Sequence, residues 1–247
     1  MRFSRHAHPS VDEENPYWIS FSDLMSAILV IFILATLALI IELTQRTENI
    51  DAGIDQLKQA EQARQEILQE VKSELAKINI KVEIADNDTV IRIPESTLSF
   101  RSGQDTIPDS MLSSVKSIGE VLHSAITKNE RFKYLDTVFI EGHTDSVPIA
   151  FGKYRTKGNW GLSADRAITV WKLWSNELSL MPSLNDLKNH TQQNLFSVSG
   201  YAATRRVEAI EETATQRARN RRIDIRFTVK MPSIEDLEQI KSSTDNK

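Results

Sequence analysis

The sequence predicts an α+β protein: a two-layer domain with a mixed sheet and helices on one face, reached from a single N-terminal transmembrane helix through a helical stalk. Three observations carry this reading. Ile19 to Ile41 is a run of 23 residues with one formal charge, Asp23; as a helix it reaches roughly 34 Å, enough for a bilayer core of about 30 Å. From Glu42 to Asn79 the chain is rich in Glu, Gln, Lys, Ala and Leu, with Gly53 its only glycine and no proline. From residue 82 to 229, short strand-like runs alternate with amphipathic helical segments, the pattern of a sheet layered with helices.

Composition narrows the function. The 247 residues carry a net charge of −4 and no cysteine, which excludes disulfides and thiolate metal sites. No basic stripe points to direct contact with nucleic acid. There is no GxxxxGK[ST], no HExxH and no nucleophile elbow, so a non-enzyme without cofactor or metal is expected.

Residues 1–16 form a polar tail. Arg2 and Arg5 lean toward a cytoplasmic N-terminus, since positive charge accumulates on that side. The transmembrane helix is placed at 17–41. A cleaved signal peptide would have a shorter apolar core ending in small residues, whereas this run continues to Ile41 and meets Glu42. Asp23 is its informative residue. A carboxylate costs about 2.5–3.5 kcal/mol at the centre of a membrane helix, less toward an end, so it is kept for a reason. It either sits at the interface, snorkelling to headgroups or capping the helix, or holds and passes a proton. Ser20, Ser22, Ser26 and Ala27 allow close helix packing around it, and one helix cannot enclose its own carboxylate. Partner helices are therefore expected.

The stalk is placed at 42–80. A heptad seam runs through Leu43, Ile50, Ile54, Leu57, Leu68, Val71, Leu75 and Ile78, interrupted at Glu61 and Arg64. It fits a coiled coil with a second copy, or a solvated single helix. The domain is placed at 81–230 and a polar tail at 231–247. Within the domain, Thr89–Ile93 reads as a strand closed by Pro94. Pro108 opens a helix with Met111, Leu112, Val115, Ile118, Leu122 and Ile126 on one face. Residues 137–142 form a strand buried on both faces. A helix over 162–178 carries Ile168, Trp171, Trp174 and Leu178 on one side. Strands follow at 196–200 and 223–229.

Four segments sit at element ends, where sites gather: Glu141-Gly142-His143-Thr144-Asp145-Ser146; Asn159-Trp160-Gly161-Leu162-Ser163-Ala164-Asp165-Arg166-Ala167; Gly200-Tyr201-Ala202; and Arg219-Asn220-Arg221-Arg222-Ile223-Asp224. A carboxylate recognises an ammonium and a guanidinium grips a carboxylate. Asp145 and Arg166 together suit a zwitterionic amino-acid end; alternatively they bridge each other and fix the loop, or Asp145 caps a turn.

Taken in order, these segments resemble the peptidoglycan-binding domain shared by OmpA, Pal and MotB, over about residues 85–230. The resemblance implies that Asp145 and Arg166 hold the diaminopimelate of the cell-wall stem peptide, with Thr144, Asn159, Leu162 and Arg221 lining or supporting the same groove. Two departures stand out: the stretch Ser146–Gly158 is longer than in OmpA and closer to the loop of MotB, and Ala202-Ala203-Thr204-Arg205-Arg206 follow Gly200-Tyr201 where many members have a proline. At the other end, Tyr17-Trp18 followed by Ser22-Asp23-Leu24-Met25-Ser26-Ala27 resembles the start of MotB stator subunits, which implies that Asp23 is the ion-carrying group. A homodimer inside a ring of MotA-like membrane subunits, five around the dimer, is implied with it. H⁺ is the favoured ion and Na⁺ stays open. The entry YWISFSDLMSA and the compact length are more similar to the MotB-like subunit of the Zorya anti-phage defence system than to a flagellar stator. A flagellar stator subunit and a passive membrane-to-wall tether are the other readings.

Overall fold

The computed structural model describes residues 16–232. The chain divides into two units, one up to Ala52 and one from Gly53.

The first unit is the opening part of α1 (Pro16–Lys77). Leu24, Leu29, Ile31, Phe32, Leu34 and Leu39 are all exposed, and this stretch is long and apolar enough to cross a membrane. Two of its hydroxyls bond their own helix: Ser26 Oγ donates to the Ser22 carbonyl at 2.8 Å and Thr36 Oγ1 to the Phe32 carbonyl at 2.7 Å. These two hydroxyls are thereby satisfied without a neighbouring chain, as a hydrocarbon environment requires.

The second unit is an α+β domain. Its sheet has the order β1-β2-β5-β3-β4, built from β1 (Glu83–Ala85), β2 (Val90–Pro94), β3 (Leu135–His143), β4 (Phe196–Gly200) and β5 (Arg222–Val229). β3 and β4 are parallel and every other pair is antiparallel. Between β2 and β3 lies α2 (Asp109–Thr127), and between β3 and β4 lies α3 (Gly158–Glu177), the crossover that a parallel pair needs. A short α4 (Ala214–Asn220), opened by a Thr213–Gln216 capping box, precedes β5.

Alternation along β5 sorts its residues onto two faces. Ile223, Ile225 and Phe227 enter the core with Val115, Ile118, Leu122 and Ile126 of α2 and Ala167, Val170 and Leu173 of α3. Trp174 joins them and donates its indole N–H to the Val115 carbonyl at 2.7 Å. The buried face of α3 thus runs through Leu162, Ala167, Val170, Leu173 and Trp174. Trp171 only leans on the core, stacked on Phe196 with ring centroids 5.2 Å apart.

The heptad seam of the stalk has two fates. Leu68, Val71 and Leu75 are fully buried in the domain core, together with Ile67. Arg131 ties the same segment down through Glu66 at 3.0 Å and Glu70 at 2.7 Å, and Lys128 reaches Glu70 at 2.9 Å. This part of the seam is used by the chain's own domain, because a two-layer fold gains by burying a further apolar stripe. Leu43, Ile50, Ile54 and Ile78 remain exposed.

Candidate functional site

The close approach of α3 to the ends of β3 and β4 builds the site. A Cβ at Gly142 would overlap the Ser163 carbonyl, and one at Gly200 would lie 2.5 Å from the Ala164 nitrogen. Only glycine lets the helix start that near the sheet. The juncture is then bonded across: Tyr201 N–H donates to the Gly142 carbonyl, Thr144 N–H to the Ala202 carbonyl, and Ala202 N–H to Ser163 Oγ, at 2.9, 2.9 and 3.0 Å. Ala202 adopts φ 47°, the left-handed region that favours glycine.

Beyond β3 the chain enters a cleft of about 340 Å³ lined by Glu95, Phe100, Thr144, Asp145, Asn159, Leu162, Arg166, Arg217 and Arg221, among others. All six residues singled out in the sequence for wall binding lie there. Asn159 Nδ2 donates to the Asp145 and Val147 carbonyls at 3.2 and 3.0 Å and so holds the loop against α3.

Asp145 and Arg166 do not bridge each other. Asp145 accepts from Arg221 Nη1 at 2.6 Å and from the Val147 N–H at 3.2 Å. Arg221 also grips Glu95 through a two-bonded fork, at 2.6 and 2.7 Å. Those hydrogen bonds hold its guanidinium charged, against the burial that opposes them. Arg166 is 3% exposed and spends its donors on backbone, with Nε to the Gln104 carbonyl at 3.0 Å and Nη2 to the Arg101 carbonyl at 3.3 Å. Its guanidinium also lies 4.9 Å from the Phe100 ring centroid. Burial lowers its pKa to about 10, Glu95 pulling it upward and Arg221 pushing it further down. At neutral pH it is a buried cation without a carboxylate partner among the described residues. Such a group costs free energy until an anion meets it.

Glu95, Phe100 and Arg217 escaped the sequence reading. Glu95 follows Pro94 and is 126 residues from the arginine it binds, and no local spacing links the two.

His143, next to Asp145 in sequence, lies outside the cleft. It is buried beneath Tyr201, ring centroids 5.5 Å apart, with Nε2 3.5 Å from Asp224 and 3.9 Å from Glu141. Burial first, then Arg222, Arg92, Arg205 and Arg226, push its pKa down to about 2. It is neutral at any physiological pH. Glu141, His143 and Asp224 bring their ligand atoms within 4.8 Å of one another, in the manner of a metal set. The arginines argue otherwise: Arg226 holds Glu141 at 3.0 Å, while Arg222 and Arg92 hold Asp224 at 2.9 and 3.2 Å. A cation would enter against four guanidiniums.

In the first unit, Asp23 is exposed on α1 and has no partner among the described residues.

Residues 99–221 match the OmpA family, and the domain is OmpA-like. Among solved structures, a putative MotB-like protein from Desulfovibrio vulgaris aligns at 18% identity and a TM-score of 0.51, covering 71% of this chain and 99% of that one. The periplasmic domain of Helicobacter pylori MotB aligns at 23% identity and a TM-score of 0.44, with coverages of 67% and 89%. The cell wall anchor of the T6SS from Pseudomonas aeruginosa aligns at 25% identity and a TM-score of 0.46, with coverages of 66% and 97%. The first of these likenesses concerns the fold. No curated protein matches the sequence.

Proposed function

We propose that this chain is the wall-anchored, ion-conducting subunit of a membrane motor. The N-terminus lies in the cytoplasm, α1 crosses the inner membrane once, and the OmpA-like domain stands in the periplasm. The observation that carries the anchoring half is the cleft. Arg166 offers a buried guanidinium to a carboxylate, and Asp145 offers a carboxylate to an ammonium. That pair of charges matches the zwitterionic end of diaminopimelate in a peptidoglycan stem peptide. Thr144, Asn159 and Leu162 shape the wall of the cleft, and Arg221 holds Asp145 in place.

Asp23 carries the motor half. A lone carboxylate on an apolar helix needs enclosing partners, which a second copy and a ring of MotA-like subunits would supply. Two such carboxylates would load and release protons while the wall domain holds the unit still; without an anchor, torque would spin the complex in the bilayer. Similarity of the entry sequence to the MotB-like subunit of Zorya supports anti-phage defence as the output. The test is phage plating efficiency on a susceptible host carrying the intact locus, wild type against Asp23→Asn, with membrane levels matched. Protection that collapses in the variant is expected. Protection that survives would leave a passive tether, and a wild type that never protects would exclude defence.

A further inference from the structure

The face of the sheet turned away from the core carries a second charged feature, separate from the cleft. Alternation puts Arg222, Asp224 and Arg226 of β5 on that face. The register sets Arg92 on one side of Asp224 and Glu141 on the other. Above this row opens a cavity of about 450 Å³ lined by Asp86, Arg92, Arg205, Arg206, Val207, Arg222 and Arg226. Five guanidiniums therefore meet Asp86 in the wall and Glu141 and Asp224 directly beneath, an excess of two positive charges in the lining and floor, with Glu211 acting on Arg206 from outside them.

The three carboxylates are already committed. Asp224 takes Arg92 and Arg222, Glu141 takes Arg226, and Asp86 takes Arg226 at 2.9 Å. Donors are left over. The Arg205 guanidinium carbon sits over the Tyr201 ring, 3.8 Å from its centroid, and Arg205 reaches Glu141 only at 3.6 Å. Arg206 makes no hydrogen bond among the described residues, feels the Glu211 carboxylate only through space, and lies exposed at the rim. Like charges gathered this closely repel one another, and an anion of matching charge relieves the repulsion.

We propose that this arginine-lined cavity is a second binding site, for a phosphoryl-bearing anion. A phosphoryl group carries about −1.5 to −2 charge, which matches the excess of two. Its tetrahedral oxygens accept from guanidiniums arriving from several directions, where a planar carboxylate accepts one fork. The cavity exceeds the volume of a bare phosphate, so the group is expected to come with a carrier. A soluble phosphate ester and a phospholipid headgroup share this chemistry.

The test uses the full chain in phosphatidylcholine nanodiscs, titrated calorimetrically with inorganic pyrophosphate. Saturable binding at one site per chain is expected, weakened about tenfold or more in Arg205→Gln/Arg206→Gln, since a hydrogen bond to a charged group contributes about 1.5–3 kcal/mol. Arg166→Ala, in the other cleft, should leave it unchanged. A melting midpoint equal to wild type reports that the double variant folds; otherwise Arg206→Gln, which breaks no bond, reads the same loss. Repetition in phosphatidylglycerol nanodiscs separates the sources: suppressed pyrophosphate binding identifies the headgroup as occupant, equal binding a soluble ester. Absence of saturable binding in phosphatidylcholine, or binding indifferent to Arg205 and Arg206, overturns the site.

Discussion

Helix α1 carries apolar side chains into two different surroundings. In its first part Phe32 is 65% exposed and Leu39 64%, whereas Leu68, Val71 and Leu75 in its last part are at 0%. The sequence of each part fits its surroundings. The first is apolar on all sides, as a helix bathed in lipid must be. The second has an apolar stripe backed by Glu66, Glu70 and Glu74, as a helix lying on a domain must have. The last part of α1 is therefore an integral part of the OmpA-like domain, its apolar stripe buried in that domain's core.

Substitutions sharpen this contrast. Leu68→Ala should destabilise the domain by about 2–5 kcal/mol, the cost of a cavity at a fully buried leucine, measured by urea unfolding of the detergent-solubilised chain. Leu39→Ala should leave that transition where it is. Leu34→Arg should do the reverse: it costs about 2.5–3.5 kcal/mol of insertion, seen as loss of protein from the membrane fraction, with the domain transition unmoved. Arg131→Ala removes the ion pairs to Glu66 and Glu70 and should cost about 1–3 kcal/mol, less than the leucine because Glu70 keeps Lys128, Glu66 keeps Gln62 and both glutamates retain some water.

The smallest effect is one of pH. At Glu70, burial works to raise the carboxyl pKa, and Arg131 and Lys128 outweigh it, so the net direction is downward from 4.5. A folded pKa below the unfolded one adds stability that is present above about pH 4.5 and is lost as the pH falls through the folded value. The melting midpoint should drop on acidification below 4.5, and Glu70→Gln should flatten that part of the profile.

Legibility in the sequence followed how local each signal is. β4 was readable to its ends, Phe196 and Gly200, and β5 to within one residue, because alternation and β-branched residues are local patterns. β1 was missed: it is three residues long and runs straight into Asp86, Asn87 and Asp88, all at positive φ. α4 was missed although Thr213 and Gln216 spell a capping box, since seven residues carry too little periodicity to announce a helix. The seam through Leu68, Val71 and Leu75 was visible. Its partner was not, because a heptad pattern is the same whether a second chain or the chain's own core covers it. In the cleft, Asp145, Arg166 and Arg221 were legible through ordered motifs. What they bind to in the absence of ligand was not: Arg221's fork on Glu95 and the carbonyls of Arg101 and Gln104 around Arg166 are long-range choices made by the fold.

The measurement closest to the central claim is co-sedimentation of the full chain with purified peptidoglycan sacculi. It compares wild type with Arg166→Ala and adds free diaminopimelate as competitor, with melting midpoints recorded for both chains. The account predicts that wild type sediments and diaminopimelate releases it, and that Arg166→Ala binds at least about tenfold more weakly, because a charged fork contributes about 1.5–3 kcal/mol. A folded Arg166→Ala chain that sediments like wild type, or wild-type binding that diaminopimelate does not disturb, would contradict it.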